Sequence, residues 1–162
     1  MRALVSLGSN LGDSRQILSA AVSDIEAVSG VRVIAVSSLW RTAPVGVAGQ
    51  PDYLNAVAQV DCDLGPMQLL KALQAIELAH GRVRTERWGA RTLDLDIVDT
   101  DTGPVQQPEL ELPHPRAHER GFVLLPANEI AGDWELSGVA ISARAKQVDP
   151  SELALVEQEW WK

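Results

Sequence analysis

At 162 residues the chain has the length of one domain, and a net charge of −8 leaves it no broad basic surface for a nucleic-acid backbone. A hydrophobic content of 46% beside 22% charged residues is that of an ordinary globular protein, with no apolar run long enough to span a bilayer. One cysteine, Cys62, excludes an intrachain disulfide, and the N-terminus MRALVSLGSN lacks the apolar segment of a signal peptide, so the cytoplasm is the expected compartment.

In chain order, residues 3–7 (ALVSL) read as a short strand broken by Gly8-Ser9-Asn10. GSNLG lacks the lysine of a P-loop and reads as a tight turn that lets other groups come close. Ile17, Leu18, Ala21, Ile25 and Val28 recur at helical spacing, which predicts a helix over 14–29 stopped by Gly30. Residues 31–40 (VRVIAVSSLW) predict one strand, buried on both faces over its first half. Residues 41–52 carry two prolines and two glycines without periodicity, a long loop of the kind that serves as a lid or binding element. Over 53–64, Leu54, Ala56, Ala58, Val60, Cys62 and Leu64 alternate with Tyr53, Asn55, Val57, Gln59, Asp61 and Asp63, predicting a strand with Cys62 in the core. Tyr53 and Asn55 share the polar face; an aromatic beside an amide can take a planar heterocycle, but the pair also fits an ordinary sheet surface.

Gly65-Pro66 opens a helix with Leu69, Leu70, Leu73 and Ile76 inside, ending at Gly81. Gln74 and Glu77 are flank neighbours of a kind usually solvated, and His80 suits the negative end of the helix. Then Arg82, Arg84, Arg87 and Arg91 stand against the single acid Glu86, a local charge of +3. Such a patch on an acidic chain suits a small anionic ligand, because guanidinium pairs bidentately with phosphate. Asp94 and Asp96 follow in an apolar run. In a strand they share one face while Leu93, Leu95 and Ile97 point to the core. Paired carboxylates beside arginines suit a hard divalent cation that also binds phosphate.

Residues 99–107 read as a polar turn. His114, His118, Arg120 and Phe122 then come close together; Pro113 and Pro115 prevent a helical zinc pair, which favours phosphate contact, and Phe122 reads first as core. Residues 139–148 suggest a helix, Asp149-Pro150 a cap, and 153–161 either helix or edge strand. The β-α-β-β-α-β order through residue 98 predicts an α+β, ferredoxin-like core: an antiparallel sheet with helices on one face and a C-terminal addition. Tyr53, Asn55, Asp94 and Asp96 fall together on the other face.

The motifs GSN at 8–10, RTxP at 41–44, QPDYLN at 50–55, GRVR at 81–84, RWGARTLDLDIV at 87–98, and PHP with ERGFVLLP at 113–126 resemble the 6-hydroxymethyl-7,8-dihydropterin pyrophosphokinase family of folate biosynthesis. The resemblance spans roughly residues 1–130, and no second folate-enzyme domain is expected after it. It implies transfer of pyrophosphate from ATP to the pterin hydroxymethyl group, releasing AMP, with two Mg²⁺ ions held by Asp94 and Asp96. It implies Arg82, Arg91 and His114 on phosphate, with Arg84, Trp88 and Arg120 in ATP-proximal segments. Gln74, Glu77 and Ile97 would lie near the nucleotide. Tyr53 and Phe122 would sandwich the pterin, Asn55 would hydrogen-bond it beside Asp94, and backbone around Thr42 and Val45 would complete its pocket. Arg82 and Arg91 would act with the aspartates in catalysis by positioning and charge neutralisation, since no general base is evident. The expected partners are ATP and the pterin, with no nucleic acid and no membrane, the protein acting as a monomer. Ala43 stands where the family commonly has proline, the segment between Arg84 and Trp88 is one residue shorter than in some members, and Pro115 replaces an aromatic. The competing reading is a ferredoxin-like nucleotide- or RNA-binding module without catalysis, against which the charge of −8 and the lack of an aromatic RNA-binding pattern both count.

Overall fold

The computed structural model describes residues 1–42, 52–81 and 92–162. The chain runs β1 (Arg2–Ser9), α1 (Ser14–Ala27), β2 (Val31–Val36), β3 (Leu39–Thr42), β4 (Tyr53–Cys62), α2 (Pro66–Ala79) and β5 (Asp94–Thr100). A hairpin of β6 (Val105–Gln107) and β7 (Leu110–Leu112) follows, then a 3-10 turn (Ala117–Glu119) and α3 (Gly121–Ala131). The end comprises a second hairpin, β8 (Glu135–Leu136) with β9 (Val139–Ala140), then α4 (Ile141–Ala145), a 3-10 turn (Pro150–Glu152) and β10 (Leu153–Glu157).

Six described strands form one antiparallel sheet in the order β10-β3-β4-β1-β5, with β2 also on β4. β2 and β3 share one edge of β4: β2 pairs from Cys62 back to Ala58 and β3 pairs Asn55 to Tyr53. Alternation sorts the sheet into two faces. Val5, Leu7, Ala56, Ala58, Leu95 and Ile97 pack against Leu18, Ala21 and Ile25 of α1 and Leu69, Leu73 and Ile76 of α2. On the opposite face Leu4, Val57 and Val98 pack against Val123, Leu124 and Ala127 of α3. The helices start where local chemistry allows: the Asp13 side chain accepts from Gln16 N, and Gln68 Oε1 accepts from Gly65 N ahead of Pro66. Gly30, at φ +83°, makes the turn after α1 that a side chain would strain.

The α+β, ferredoxin-like core with a C-terminal addition is thus observed, with local differences. The segment 31–40 is two strands. Ser37 Oγ accepts from Val57 N while Ser37 N donates to Val57 O, so the strand bends where a side chain replaces a ladder carbonyl. Nor is β2 buried on both faces: Ile34 is 46% exposed and Arg32 is exposed as well, because β2 is an edge segment. The polar turn expected over residues 99–107 is confined to 101–104. Asp99 and Thr100 end β5 and are buried, with Asp99 bonded by Trp134 Nε1 (2.9 Å) and Thr100 N (2.9 Å), and Val105–Gln107 is β6. α3 is not evident from the sequence, because its all-apolar GFVLLP run hides helical periodicity and its interior holds Pro126. The helix expected over 139–148 is limited to Ile141–Ala145. Asp149 does cap, accepting from Ser151 N, and of the two readings for 153–161 the edge strand holds, paired with β3. The chain end is anchored by Trp160, fully buried, whose Nε1 donates to Ser37 O at 2.9 Å, and by a two-point Arg15–Glu157 pair. No helix among the described residues is long and apolar enough to cross a membrane.

Candidate active site

β1 lies between β4 and β5, so its register decides what meets across the sheet. Gly8 pairs with Asn55 on one side and Asp94 on the other, and Ser6 pairs with Val57 and Asp96. Asn55, Gly8 and Asp94 therefore form one row, with Val57, Ser6 and Asp96 in the next. Val57 belongs to the layer beneath α3, so these rows lie on the α3 face, at its edge. Tyr53, two residues before Asn55 on β4, shares that face. As expected, Tyr53, Asn55, Asp94 and Asp96 are brought together on one face of the sheet.

The row has a floor because Gly8 has no side chain. A Cβ there would lie 3.2 Å from Asn55 Oδ1 and 3.9 Å from Tyr53 Cδ1. Asn55 is 4% exposed and its Nδ2 donates to Thr42 Oγ1 at 2.9 Å, which turns Oδ1 toward Gly8. An amide held with its oxygen over a side-chain-free strand, beside an aromatic ring, suits a flat heterocycle with N–H donors. Phe122 begins α3, half-buried against the second core, with the Arg120 guanidinium 5.5 Å from its ring centroid.

Asp94 and Asp96 are half-exposed, on either side of the buried Leu95. Glu77 holds that strand from below: its carboxylate is 3% exposed and accepts from Leu95 N at 2.9 Å. The flank pair expected to be solvated is thus divided, Glu77 buried under the aspartates and Gln74 exposed. No described group of three or more His, Cys, Asp or Glu residues is placed to enclose a metal. The two aspartates share one face of β5, and carboxylates so placed fit a hard cation that completes its shell with phosphate and water.

His114 is near both charge types. Its N donates to Val98 O at 2.7 Å, and its Nδ1 accepts from Arg116 N at 3.2 Å, which leaves the ring proton on Nε2. Burial lowers its pKa below the ordinary 6.5, Arg120 and Arg116 lower it further, and Asp94 opposes them. His114 also borders an open cleft of about 610 Å³ between Leu70 of α2, Asp96 and Ile97 of β5, and the β6–β7 hairpin. Ile97 lines this cleft, whereas Gln74 is not among its described lining residues. Leu70, read as core, and the hairpin residues Gln106, Gln107 and Glu111 are walls that sequence reasoning missed. The alternation of Leu110 and Leu112 about Glu111 was the available signal for that hairpin. Val45, Arg82, Arg84, Trp88 and Arg91 lie outside the described residues.

The sequence model of one family, described as 7,8-dihydro-6-hydroxymethylpterin-pyrophosphokinase, matches residues 4–132. A 2-amino-4-hydroxy-6-hydroxymethyldihydropteridine pyrophosphokinase of Methylorubrum extorquens is 41% identical over 156 residues, 96% of this chain and 99% of that one. Its counterpart in Pseudomonas aeruginosa is 46% identical over 135 residues, 83% of each chain. Among solved structures, an HPPK-DHPS in complex with substrates superposes with a TM-score of 0.73 at 14% identity, covering 90% of this chain and 43% of that one. The Plasmodium falciparum HPPK-DHPS with pterin and p-hydroxybenzoate gives 0.73 at 15% identity, with 90% and 42% covered. This chain spans less than half of those two solved chains, and at such identity they show the fold alone. With the family pattern matched over 129 residues (4–132) and relatives above 40% identity over most of its length, the chain belongs to the 7,8-dihydro-6-hydroxymethylpterin-pyrophosphokinase family.

Proposed function

We propose that the chain transfers the β,γ-diphosphate of ATP to the hydroxymethyl group of 6-hydroxymethyl-7,8-dihydropterin, with the pterin in the Asn55–Gly8 slot and the phosphates beside Asp94, Asp96 and His114. The hydroxymethyl oxygen forms a bond to the β-phosphorus, the bond from that phosphorus to the α,β-bridging oxygen breaks, AMP leaves and the hydroxyl proton is released. The observation that carries this reading is the Asn55–Gly8–Asp94 row, which sets a heterocycle slot directly against the carboxylate pair. The activity itself is that of the family to which the chain belongs.

In this reading Asp94 and Asp96 would hold two Mg²⁺ ions, which would supply charge neutralisation at the phosphates. The chain's own groups do the rest. Asn55 and the backbone around Thr42 and Val45 orient the pterin between Tyr53 and Phe122. Glu77 keeps Leu95, and so both aspartates, in place. Neutral His114 offers Nε2–H to a phosphate oxygen, and Ile97 lines the cleft that would take the nucleotide. Arg82, Arg84, Trp88 and Arg91, with Arg120, supply charge and cover over the polyphosphate; excluding water there limits hydrolysis of ATP. One chain supplies every group named, which suits a monomer. Two small substrates need neither a membrane nor a nucleic-acid surface, and a lone buried cysteine suits the reducing cytoplasm.

The test is a product assay with ATP, Mg²⁺ and the dihydropterin. AMP formed one-for-one with a pterin diphosphate is the expected result. ADP would mean attack at the γ-phosphorus and overturn the proposed transfer, and no nucleotide turnover by folded protein would favour the binding-module reading.

A further inference from the structure

Glu129 of α3 gathers three donors from the β2–β3 bend. Its Oε2 accepts from Ser38 Oγ at 2.7 Å and Ser38 N at 3.3 Å, and its Oε1 accepts from Trp40 Nε1 at 2.7 Å. Ser38, Trp40 and Glu129 lie outside the family motifs named above. Their place in the fold gives them a role. Phe122 lies seven residues before Glu129, two helical turns and about 10 Å away on the same side of α3. On the strand side, Trp40 pairs with Asn55, and Thr42, two residues on and facing the same way, both pairs with Tyr53 and accepts from the Asn55 amide.

The carboxylate therefore ties the helix that begins with one slot wall to the strand that holds the other. The core contacts between α3 and the sheet, through Leu4, Val57, Val98, Val123, Leu124 and Ala127, are apolar. Apolar contact is non-directional and tolerates sliding. Hydrogen bonds to an ionised carboxylate are directional and comparatively strong, so they fix where the helix stops along the strand.

We infer that Glu129 is a positioning residue for the pterin: by bonding Ser38 and Trp40 it sets the spacing between Phe122 and the Tyr53–Asn55 face, and so the fit of the slot to its heterocycle. The inference rests on the pterin slot proposed above. It assigns Glu129 no contact with either substrate.

The test is steady-state kinetics with 6-hydroxymethyl-7,8-dihydropterin and ATP varied in turn, on wild type, Glu129→Ala, Glu129→Gln, Trp40→Phe and Asn55→Ala. Glu129→Ala should raise KM for the pterin about tenfold, the scale on which small misplacements act, and leave KM for ATP within about twofold. Glu129→Gln should restore only part of the pterin KM, because its oxygen can still face Trp40 and its amide can donate to Ser38 Oγ, but Ser38 N loses its acceptor. Trp40→Phe, which keeps the ring and removes one bond, should shift pterin KM in the same direction by a smaller factor. A parallel rise in both KM values, or an unchanged pterin KM in Glu129→Ala, would overturn the inference. Asn55→Ala separates the two failures. If it weakens the pterin and Glu129→Ala does not, the brace is wrong and the slot stands; if Asn55→Ala leaves pterin KM unchanged, the slot reading falls and the brace with it.

Discussion

Thr42, opposite Tyr53, is the diagonal neighbour of Asn55 across the β3–β4 pair, and the hydroxyl of the first accepts the amide N–H of the second at 2.9 Å. Asn55 is 4% exposed, so its amide has little water to turn to. The hydroxyl thus selects which end of the amide meets a ligand. Thr42→Val keeps the shape and removes the acceptor. It should weaken pterin binding about fivefold to tenfold, the scale of one hydrogen bond, with Thr42→Ser near wild type. Calorimetric titration with 6-hydroxymethyl-7,8-dihydropterin in the presence of a non-hydrolysable ATP analogue checks it; equal affinities in wild type and Thr42→Val would contradict the orientation role.

Gly8 tests the same slot from its floor. A Cβ 3.2 Å from Asn55 Oδ1 forces the amide to shift by a few tenths of an ångström. Gly8→Ala should leave the protein folded and raise KM for the pterin severalfold while KM for ATP stays put. A variant with normal pterin KM would mean that no ligand sits over Gly8.

Asp94 and Asp96 are exposed enough that replacing them should not disturb the fold. Asp96→Ala should retain the wild-type melting temperature within a few degrees and lose about a hundredfold or more in turnover, as expected when charge neutralisation at phosphate is removed. Chelation with EDTA should abolish activity, and added Mg²⁺ should restore it. Near-normal turnover in Asp96→Ala would remove the metal assignment.

Burial and two arginines hold the His114 pKa below 6.5. Between that lowered value and 6.5 the unfolded chain binds more protons at this site than the folded one. Stability therefore rises with pH through that window, and is lost as pH falls through it. Phosphate nearby should raise the pKa toward 6.5 and couple nucleotide binding to proton uptake. Urea unfolding of wild type and His114→Gln between about pH 5 and 7.5 should show the wild type losing more stability toward the acid end. NMR titration of the ring should show an upward shift on adding ATP; an unchanged titration would remove the phosphate contact.

Trp160 is fully buried and outside the segment that the family pattern covers. Trp160→Ala should cost about 3–5 kcal/mol, by loss of burial and of the bond to Ser37 O. Thermal unfolding measures it, and a melting temperature unchanged from wild type would show that the chain end does not hold β3.

Much of the site was legible because it is local. Asp94 and Asp96, like Tyr53 and Asn55, are two residues apart in runs whose neighbours are apolar, and strand alternation then dictates a shared face. The helix start at Gly65-Pro66 and the stop at Gly30 follow from capping and φ restrictions that act within a few residues. The C-terminal elements were poorly legible because their signals are weak or mixed: Pro126 sits inside α3, and the 153–157 strand is half-exposed on an edge.

What the sequence by itself determined is therefore the residue types, the faces they share within one strand or helix, and the family pattern. Only the tertiary structure decided which faces meet. The antiparallel register of β1 set Gly8 between Asn55 and Asp94; burial against β5 turned Glu77 from a flank residue into a support; and packing of α3 brought Glu129 to Ser38 and Trp40. Those relationships join residues far apart in the chain. They depend on the balance of burial and hydrogen bonding over the whole sheet, which no short window of sequence contains.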